Sequence, residues 1–251
     1  MYSKFEILKN LTDKNIGVEI LDETSSTNDY IKKYSSFANY VVLAKRQTAG
    51  RGRLNRSFHS PINSGVYMSV LVKPNLEIKD SVKITTFTAV QVAKAIEKQI
   101  NMPVQIKWVN DIFINGKKIC GILAESSYNI KDNKLNYAVI GIGINVFKNK
   151  FPEELKNIAT SIENETGKKI DCNLLVSDII NGLININTEI VGNYLTVYKN
   201  RLFILGKTVT VDTGSEKYLA KVIDVLNSGA LLIEKNGKSI PLNFGDVSIK
   251  I

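Results

Sequence analysis

The chain has 251 residues, of which 44% are hydrophobic and 23% charged. This composition is typical of a globular protein with one large domain, or one large and one small domain, and it excludes a disordered chain. The net charge of +9 would suit an acidic partner or a nucleic acid. The lysines, however, are scattered in ones and twos instead of forming a run, which argues against nucleic acid.

Several classes of protein are disfavoured by what the sequence lacks. The N-terminus has neither the apolar run nor the cleavage site of a signal peptide, and the longest apolar stretch, at 137–147, is too short to cross a bilayer. Two cysteines are too few for a disulfide framework. The single histidine, His59, disfavours a site built from three histidines or a Ser-His-Asp hydrolase. We therefore expect a cytoplasmic protein without a membrane partner.

The N-terminal part of the chain combines short apolar strands with two helices. The strands are predicted at 17–21, 41–44 and 66–73. The first helix, at 29–35, follows the polar cluster Ser25-Ser26-Thr27-Asn28, which suits an N-cap. The second helix runs from residue 80 or 81 to residue 100 and has one apolar face.

The middle of the chain is dominated by β patterns. Asn115-Gly116 is a strong two-residue hairpin signal between two of these strands. The predicted strands lie at 104–108, 112–114, 118–127 and 135–146. Two helices are predicted after them, at 152–164 and 173–194.

The end of the chain changes character near Leu202. Short β runs are separated there by Gly, Asn and Ser turns, at 208–212, 218–225, 230–234 and 238–242. This spacing suits a small β-barrel or sandwich. We therefore expect an α+β protein with two domains, 1–202 and 203–251.

The arginines are concentrated in one segment. Four of the five, Arg46, Arg51, Arg53 and Arg56, fall within 46–56, although lysine supplies most of the positive charge elsewhere. Arginine presents a planar fork that holds phosphate or carboxylate oxygens two at a time. The interleaved glycines let the backbone approach a ligand closely. The segment predicts an anion-binding loop, with a solvated turn as the alternative.

The glycine-rich motifs that usually bind phosphate are incomplete. The pattern G-x-x-x-x-G-K-[ST] is absent, and neither the glycines at 50–52 nor those at 141–143 complete G-x-G-x-x-G. A nucleotide would therefore have to be bound by another architecture.

Five motifs, in this order and spacing, resemble those of biotin–protein ligases. They are Ser26-Thr27-Asn28, Gln47-x-x-Gly-Arg-Gly-Arg-x-x-Arg56, Lys107-Trp-Val-Asn-Asp111, Lys118-Ile-Cys-Gly-Ile-Leu-Ala-Glu125 and Gly141-Ile-Gly-Ile-Asn145. Each motif alone is weak, but the five in register are specific. The resemblance spans roughly residues 20–150, and the β-rich tail also resembles the small SH3-like domain of that family.

The resemblance implies a fold and a two-step activity. The fold would be a class II synthetase-like catalytic domain, with a mixed or antiparallel sheet flanked by helices, followed by an SH3-like β-barrel. Biotin would attack the α-phosphate of ATP, with Mg²⁺, giving biotinyl-AMP and pyrophosphate. A lysine of a biotin carboxyl carrier protein, from acetyl-CoA or pyruvate carboxylase, would then displace AMP. The family often forms homodimers, and an exposed strand near 140–146 is a candidate for that contact.

The resemblance also implies roles for individual residues. The catalytic residues would be Lys118, Arg53 and Asp111. Biotin would be bound by Ser26, Thr27, Gln47, Gly50, Arg51, Arg53, Lys118, Gly121, Leu123, Gly141 and Ile144. ATP would be bound by Arg51, Arg53, Arg56, Phe58, Asn110, Asp111, Lys118 and Asn145. No residue is predicted to bind a metal directly.

Simpler interpretations compete with several of these roles. They are helix capping for Ser26 and Thr27, turn formation for Asn110 and Asp111, and core packing for Leu123 and Ile144. The choice of Lys118 over its neighbour Lys117 rests on the family register. Arg46 is expected on the surface and Trp108 in the core.

Three positions depart from the family pattern. Val109 stands where proline is usual, Asn55 where glycine is usual, and Phe58 where tryptophan is usual. Val109 should loosen the approach to Asn110 without removing it. Asparagine tolerates left-handed φ, so Asn55 is a mild change. Phe58 offers less surface for stacking on adenine, which bears on affinity for ATP more than on activity.

Other functions remain as alternatives. Lipoate–protein ligases and octanoyltransferases share the catalytic fold but lack the G-R-G-R loop and the K-W-x-N-D segment. A basic nucleic-acid-binding module would show steep salt dependence of binding and no turnover of ATP. About two dozen residues precede Ser26, too few for the helix-turn-helix domain of some family members. We therefore expect no sequence-specific DNA binding.

Overall fold

A computed structural model describes residues 2–37 and 39–249. Its main element is a mixed seven-stranded sheet with the strand order β1-β2-β3-β7-β6-β5-β4. The strands are β1 (Gly17–Thr24), β2 (Tyr40–Gln47), β3 (Gly65–Val72), β4 (Gln105–Lys107), β5 (Asp111–Ile114), β6 (Lys117–Asn129) and β7 (Lys134–Asn145). β1 and β2 are parallel, and every other neighbouring pair is antiparallel.

Helices pack on both faces of this sheet, most of them on one face. They are α1 (Lys4–Asn10), α2 (Thr27–Ile31), α3 (Val82–Ile100), α4 (Ile162–Thr166), α5 (Cys172–Ile184), α6 (Ile186–Glu189) and α7 (Tyr194–Arg201). The long helix α3 packs against β6, and α5 packs against both α3 and β3. Within the part of the chain that the structure describes, none of these helices is long and apolar enough to cross a membrane.

The opposite face of the sheet is covered only in part. Alternate residues of a strand point to opposite faces, so Val70 of β3 joins the main core on the face that α5 covers, whereas its neighbour Leu71 joins a small cluster with Ile31 of α2. Because α2 has only five residues, it cannot cover β6 and β7 along their length. This leaves part of the sheet open beside α2.

A second, antiparallel sheet follows near the C-terminus. Its strands are β8 (Thr208–Asp212), β9 (Lys217–Val225), β10 (Leu231–Lys235), β11 (Lys238–Leu242) and β12 (Asp246–Ile249), in the order β11-β10-β9-β8-β12. Trp108 is buried, as expected, and its indole nitrogen donates a hydrogen bond of 3.0 Å to the carbonyl of Gly229. The ion pair between Asp224 of β9 and Lys199 of α7 measures 2.7 Å. The second sheet is therefore packed directly against the first part of the chain.

The two helices predicted after β7 are wrong in extent. Most of 152–164 is irregular, with one 3-10 turn at Glu153–Leu155 and helix α4 starting only at Ile162. The reason is pairing with Lys118, whose amide donates to the carbonyl of Ile158 and whose carbonyl accepts from the amide of Thr160. These bonds hold the chain extended beside β6.

The predicted helix 173–194 is divided into three helices. Asp171 caps α5 by accepting hydrogen bonds from the amides of Asn173 and Leu174. The helix ends at Ile184, the short α6 follows, and α7 starts at Tyr194. Helix α1 and strand β12 were not predicted. Short amphipathic segments at the ends of a chain give too few periods for a sequence pattern to identify them.

Strand β7 cannot provide the dimer contact that the sequence predicts near 140–146. It lies inside the sheet, with β3 paired along one edge and β6 along the other. Its backbone groups are therefore already used in the ladder. The side chains of Ile140, Ile142 and Ile144 are buried in the main core.

Candidate active site

A cavity of about 520 Å³ opens on the partly covered face of the main sheet. Strands β6 and β7 form its floor, and the arginine loop (residues 47–58), the segment 151–159 and Asp246 of β12 form its walls. All but two of the residues predicted as site residues line it. These are Ser26, Thr27, Gln47, Arg51, Arg53, Arg56, Phe58, Asn110, Asp111, Lys118, Gly121, Leu123, Gly141 and Asn145.

The two exceptions are Gly50 and Ile144. Ile144 is fully buried on the opposite face of β7, because side chains alternate along a strand and Gly143 and Asn145 take the cavity face. Gly50 lies where the arginine loop folds back on itself. A Cβ there would come within 2.6 Å of the carbonyl oxygen of Phe58, so this glycine shapes the loop without lining the cavity.

Lys118 and Asp111 form an ion pair inside the cavity. Lys118 Nζ lies 2.8 Å from Asp111 Oδ1, and both side chains are largely buried. A bulge between β5 and β6 turns Lys118 toward the cavity, since Ile119 and Cys120 are both buried in the core. Lys117 does not line the cavity. The structure therefore favours Lys118 over Lys117.

The cavity floor is nearly free of side chains because three glycines face it. Gly121 of β6 and Gly143 of β7 are direct cross-strand partners. A Cβ at Gly143 would overlap the Phe58 ring, and one at Gly121 would lie 3.1 Å from Lys118 Nζ. A Cβ at Gly141 would overlap the amide of Asn28. The glycines let these three side chains lie directly on the sheet.

One end of the cavity is a buried polar network. The amide of Thr27 donates to Gln47 Oε1 at 2.8 Å, and Gln47 Nε2 donates to Ser60 Oγ at 3.1 Å. Ser69 Oγ lies 2.6 Å from Asn28 Oδ1. Ser26 occupies the N-cap position of α2, but its side chain makes no capping hydrogen bond. The capping interpretation therefore accounts for the backbone at Ser26 and not for its hydroxyl group.

Arg51 is held by carboxylates on the rim of the cavity. Its Nη2 lies 2.5 Å from Glu125 Oε2 and 3.3 Å from Asp29 Oδ1. Burial alone would raise the pKa of Glu125, but hydrogen bonds from Arg51 and Asn28 and the charge of Lys32 hold it below its ordinary value. Arg46, outside the cavity, pairs with Glu23 at 2.9 Å, which agrees with its expected surface position.

Arg53 lies deeper and is held by neutral acceptors. Its guanidinium donates to Asn110 Oδ1 at 3.3 Å and to the carbonyl of Gly245 at 3.1 Å. Burial lowers the pKa of Arg53, while the charges of Asp111 and Asp246 oppose that shift. Asn110 in turn donates to the carbonyl of Ile122 at 2.9 Å. Asn110 is therefore firmly placed although Val109 precedes it.

The left-handed position in the arginine loop is not at Asn55. Leu54 has φ 53° and ψ 42°, and its side chain is exposed. The side chain of Asn55 lies outside the described part of the structure. Phe58 sits above Gly143 with its ring 6.4 Å from that of Tyr67, in an edge-on arrangement. It is therefore positioned at the floor of the cavity.

The structure also identifies site residues that were not predicted. Asn28, which lines the cavity, and Glu125, which holds Arg51 at the rim, belong to the recognised motifs, so both could have been included from the sequence. Asp246 and the apolar wall could not have been found in this way, since they come from β12 and from a segment expected to be helical. The wall consists of Phe151, Leu155, Ile158 and Ala159. Among the described residues, no group of three or more His, Cys, Asp or Glu side chains is placed to hold a metal ion.

The Glu125 interactions predict a pH-dependent stability. Because the folded pKa of Glu125 lies below its ordinary value, its contacts stabilise the protein fully above the unfolded pKa of about 4.3. That stabilisation is lost as the pH falls through the lower folded pKa. Glu125→Gln should therefore melt below wild type at pH 7, and the deficit should shrink below about pH 4.

Thermal unfolding followed by circular dichroism measures this difference. Glu153→Gln is the matched control, since Glu153 is exposed and, among the described residues, its carboxylate pairs with Lys156 Nζ, at 3.6 Å. It should melt like wild type at both pH values. A Glu125→Gln deficit that stays constant from pH 7 to pH 3 would contradict the assignment.

Comparison with known proteins identifies the family. A sequence model of the Biotin/lipoate A/B protein ligase family matches residues 20–145. The bifunctional ligase/repressor BirA of Bacillus subtilis is 32% identical over 228 residues, which cover 87% of this chain and 68% of that protein. The biotin–[acetyl-CoA-carboxylase] ligase of Mycobacterium tuberculosis is 26% identical over 262 residues, covering 95% of this chain and 94% of that protein.

A solved structure matches along nearly the same length. The biotin protein ligase of Aquifex aeolicus, in complex with biotin and ATP, has a TM-score of 0.77 and 27% identity, covering 92% of this chain and 97% of that one. Its match extends beyond the catalytic motifs into the C-terminal sheet, which supports the expected fold of a mixed sheet with helices and an SH3-like domain. From the family model, the relatives and this fold together, we conclude that the chain belongs to the biotin/lipoate A/B protein ligase family.

Proposed function

We propose that the protein joins biotin to a lysine of a biotin carboxyl carrier protein, using ATP and forming biotinyl-AMP as the intermediate. The observation that carries this proposal is the cavity itself. It combines a buried polar end around Thr27 and Gln47, a floor of glycine backbone, and a cluster of cations that includes Lys118 and Arg53. These features suit a polar ring, its acyl chain and a nucleotide triphosphate. The relatives named as biotin ligases, and the solved complex with biotin and ATP, support it.

Biotin would lie along the floor with its ring at the polar end. The fused ring carries a urea group, which needs hydrogen-bonding partners when buried. Ser26, Thr27 and Gln47 would supply them, since all three line that end of the cavity. The acyl chain would then cross Gly121, Leu123 and Gly141 toward Lys118.

In the first step a carboxylate oxygen of biotin attacks the α-phosphorus of ATP, and the bond from that phosphorus to the bridging oxygen of pyrophosphate breaks. Two anions must approach each other, and negative charge accumulates on the phosphoryl oxygens. The ammonium group of Lys118 offsets the repulsion and stabilises that charge. Asp111, 2.8 Å away, holds the ammonium in place.

The arginines would bind the phosphates and the carboxylate. Arg53 is the strongest candidate, because its present acceptors, Asn110 Oδ1 and a carbonyl, are neutral and leave its charge for the ligand. Each charge-assisted hydrogen bond contributes about 1.5–3 kcal/mol. Arg51 and Arg56 are each paired with carboxylates through one terminal nitrogen, so their remaining guanidinium N–H groups would bind ligand oxygens. Phe58 and Asn145 complete the proposed nucleotide site.

Mg²⁺ would enter with ATP. The cavity carboxylates Asp111 and Asp246 are both engaged with cations, and no cage of protein ligands is formed by the described residues. Mg²⁺ commonly keeps several waters and is held mainly by nucleotide phosphates. The cavity residues fit that arrangement, with the phosphates as the principal ligands.

In the second step the carrier lysine attacks the acyl carbon of biotinyl-AMP, the acyl–oxygen bond breaks, and AMP leaves. A free lysine is uncharged only about once in 2,500 molecules at neutral pH, so a carboxylate that accepts its proton assists the attack. We assign that role to Asp111. An Asp111→Asn variant should therefore shift the pH profile of biotin transfer to higher pH, and an unchanged profile would exclude this role.

The proposal also includes the carrier protein that is modified and the cellular compartment in which the reaction takes place. The carrier would belong to acetyl-CoA carboxylase or pyruvate carboxylase, and the reaction would take place in the cytoplasm. We expect no sequence-specific DNA binding by the described region. A homodimer stays a prediction, and its contact must be made by a part of the molecule other than β7, both of whose edges are paired.

The lysine assignment can be tested with adjacent variants. Lys118→Ala should slow the formation of biotinyl-AMP about 10²–10³-fold, which is the usual effect of removing one group that stabilises a developing oxyanion. Lys117→Ala should leave the rate within about twofold, since Lys117 does not line the cavity. Rapid quenching of a single turnover measures both rates. Equal effects of the two substitutions would contradict the assignment.

A further inference from the structure

The C-terminal sheet reaches into the active-site cavity through one turn. Between β11 and β12, the carbonyl of Gly245 accepts a hydrogen bond from Arg53 at 3.1 Å. The next residue, Asp246, lines the cavity. Gly245 has φ +123°, and a Cβ there would lie 3.0 Å from the carbonyl oxygen of Asp212. The turn therefore requires glycine, and its shape directs both groups toward the arginine loop.

The Asp246 carboxylate bridges two cations, one from the arginine loop and one from the main sheet. Its Oδ2 lies 2.7 Å from Arg56 Nη1, and its Oδ1 lies 3.8 Å from Lys107 Nζ. Arg56 belongs to the arginine loop, whereas Lys107 is the last residue of β4. Lys107 and Asp246 are mostly buried, and Arg56 is mostly exposed. One carboxylate thus connects an exposed side chain of the loop to a buried side chain at the edge of the sheet.

We propose that Asp246 is a positioning residue of the active site: together with the carbonyl of Gly245, it holds the arginine loop against the C-terminal sheet, so that the loop stays closed over the nucleotide and the acyl-adenylate. This inference rests on the proposed function. Asp246 acts through Arg56, Lys107 and the loop and forms no bond to the reacting atoms.

The negative charge of Asp246 makes it possible to distinguish a positioning role from simple charge repulsion of the nucleotide. A carboxylate in a cavity that accepts a polyphosphate repels it, so on Coulomb grounds alone its removal would strengthen the binding of ATP. If Asp246 instead fixes the cations, its removal weakens the binding of ATP. The two accounts predict opposite directions, which makes the sign of the effect decisive.

The tip of the arginine loop has few other attachments among the described residues. Its internal hydrogen bonds join Gly52 to Arg56 and Phe58 to Gly50, which close the loop on itself. Arg51 pairs with Glu125 and Asp29 near the base of the loop. The tip is connected to the rest of the molecule by Arg53, which donates to Asn110 and to the carbonyl of Gly245, and by Arg56, which pairs with Asp246. Loss of the Asp246 carboxylate should therefore loosen the tip while the base of the loop stays folded.

The experiment compares Asp246→Asn with Asp224→Asn. Asp224 also belongs to the C-terminal sheet and also pairs across to the catalytic part, with Lys199 at 2.7 Å, but it does not line the cavity. For each variant we would measure the KM for ATP and for biotin, the fraction of biotinyl-AMP released into solution without carrier, and the melting temperature. Asp246→Glu keeps the carboxylate on a longer side chain and tests whether a carboxylate restores the affinity for ATP.

The proposal predicts that Asp246→Asn raises the KM for ATP about tenfold, which corresponds to about 1.4 kcal/mol, and increases the released fraction of biotinyl-AMP. Its KM for biotin should stay within about twofold of wild type. Asp224→Asn should match wild type in both KM values and in the released fraction of biotinyl-AMP, and Asp246→Glu should recover part of the loss in affinity for ATP. In the Arg56→Gln/Lys107→Gln double variant, adding Asp246→Asn should raise the KM for ATP little further, because both partners of the carboxylate are already gone.

Three results would overturn the proposal. They are a KM for ATP that falls or stays unchanged in Asp246→Asn, an equal effect of Asp224→Asn, and full additivity in the double-glutamine background. If wild type forms no biotinyl-AMP, the proposed function fails on its own. Calorimetry then tests the positioning role through the binding constant of ATP. Weaker binding in Asp246→Asn than in wild type and Asp224→Asn supports the role, and equal or tighter binding overturns it.

Discussion

The active-site cavity depends on the absence of side chains at three positions of two neighbouring strands. Gly121 of β6 faces Gly143 of β7 across the ladder, and Gly141 lies two residues earlier on the same face. A Cβ at Gly141 or Gly143 would overlap Asn28 or Phe58, and one at Gly121 would crowd Lys118. Only glycine lets the backbone of a sheet serve as a floor on which other side chains and a ligand can lie.

The rest of the site is arranged around that floor by the geometry of the sheet. Because side chains alternate, Ile122 and Ile142, each next to one of these glycines, point to the opposite face and enter the main core. The same strands therefore anchor the molecule on one face and leave a slot on the other. The bulge at the start of β6 then turns Lys118 into the slot beside Asp111. The position of the proposed catalytic lysine is thus a consequence of strand packing.

The cations of the cavity differ in the groups that hold them. Rim cations such as Arg51 and Arg56 are held by carboxylates, and Arg56 is so exposed that its pair with Asp246 contributes little to stability, about 0–1 kcal/mol. Arg53, deeper in the cavity, is held by neutral oxygens. This arrangement keeps the cations in place without neutralising the one that lies deepest. The ion pairs at the rim therefore matter for geometry more than for the free energy of unfolding.

Much of the site could be predicted from the sequence because its residues fall in short motifs at fixed spacings. The strands around Asn115-Gly116 and the long helix α3 were likewise identified from hairpin and helical patterns. The predictions failed where long-range contacts determine the orientation of a side chain or the conformation of a segment. Ile144 was placed in the site although strand alternation turns it into the core, and 152–164 was expected to be helical although its pairing with Lys118 holds it extended. Asp246 reaches the site only through tertiary packing, which no local pattern records. The division of the chain at residue 202 stays a prediction.

The central claim is that this cavity activates biotin with ATP. The most direct test is the biotin-dependent exchange of labelled pyrophosphate into ATP with Mg²⁺, run in parallel with biotin, lipoate and octanoate. The account predicts exchange with biotin alone, because the buried polar end around Thr27 and Gln47 suits a urea ring and an aliphatic acid offers it no hydrogen bonds. Exchange with lipoate or octanoate but not with biotin would contradict the account, keeping the fold and reassigning the substrate. The absence of exchange with all three acids would contradict the adenylation chemistry itself.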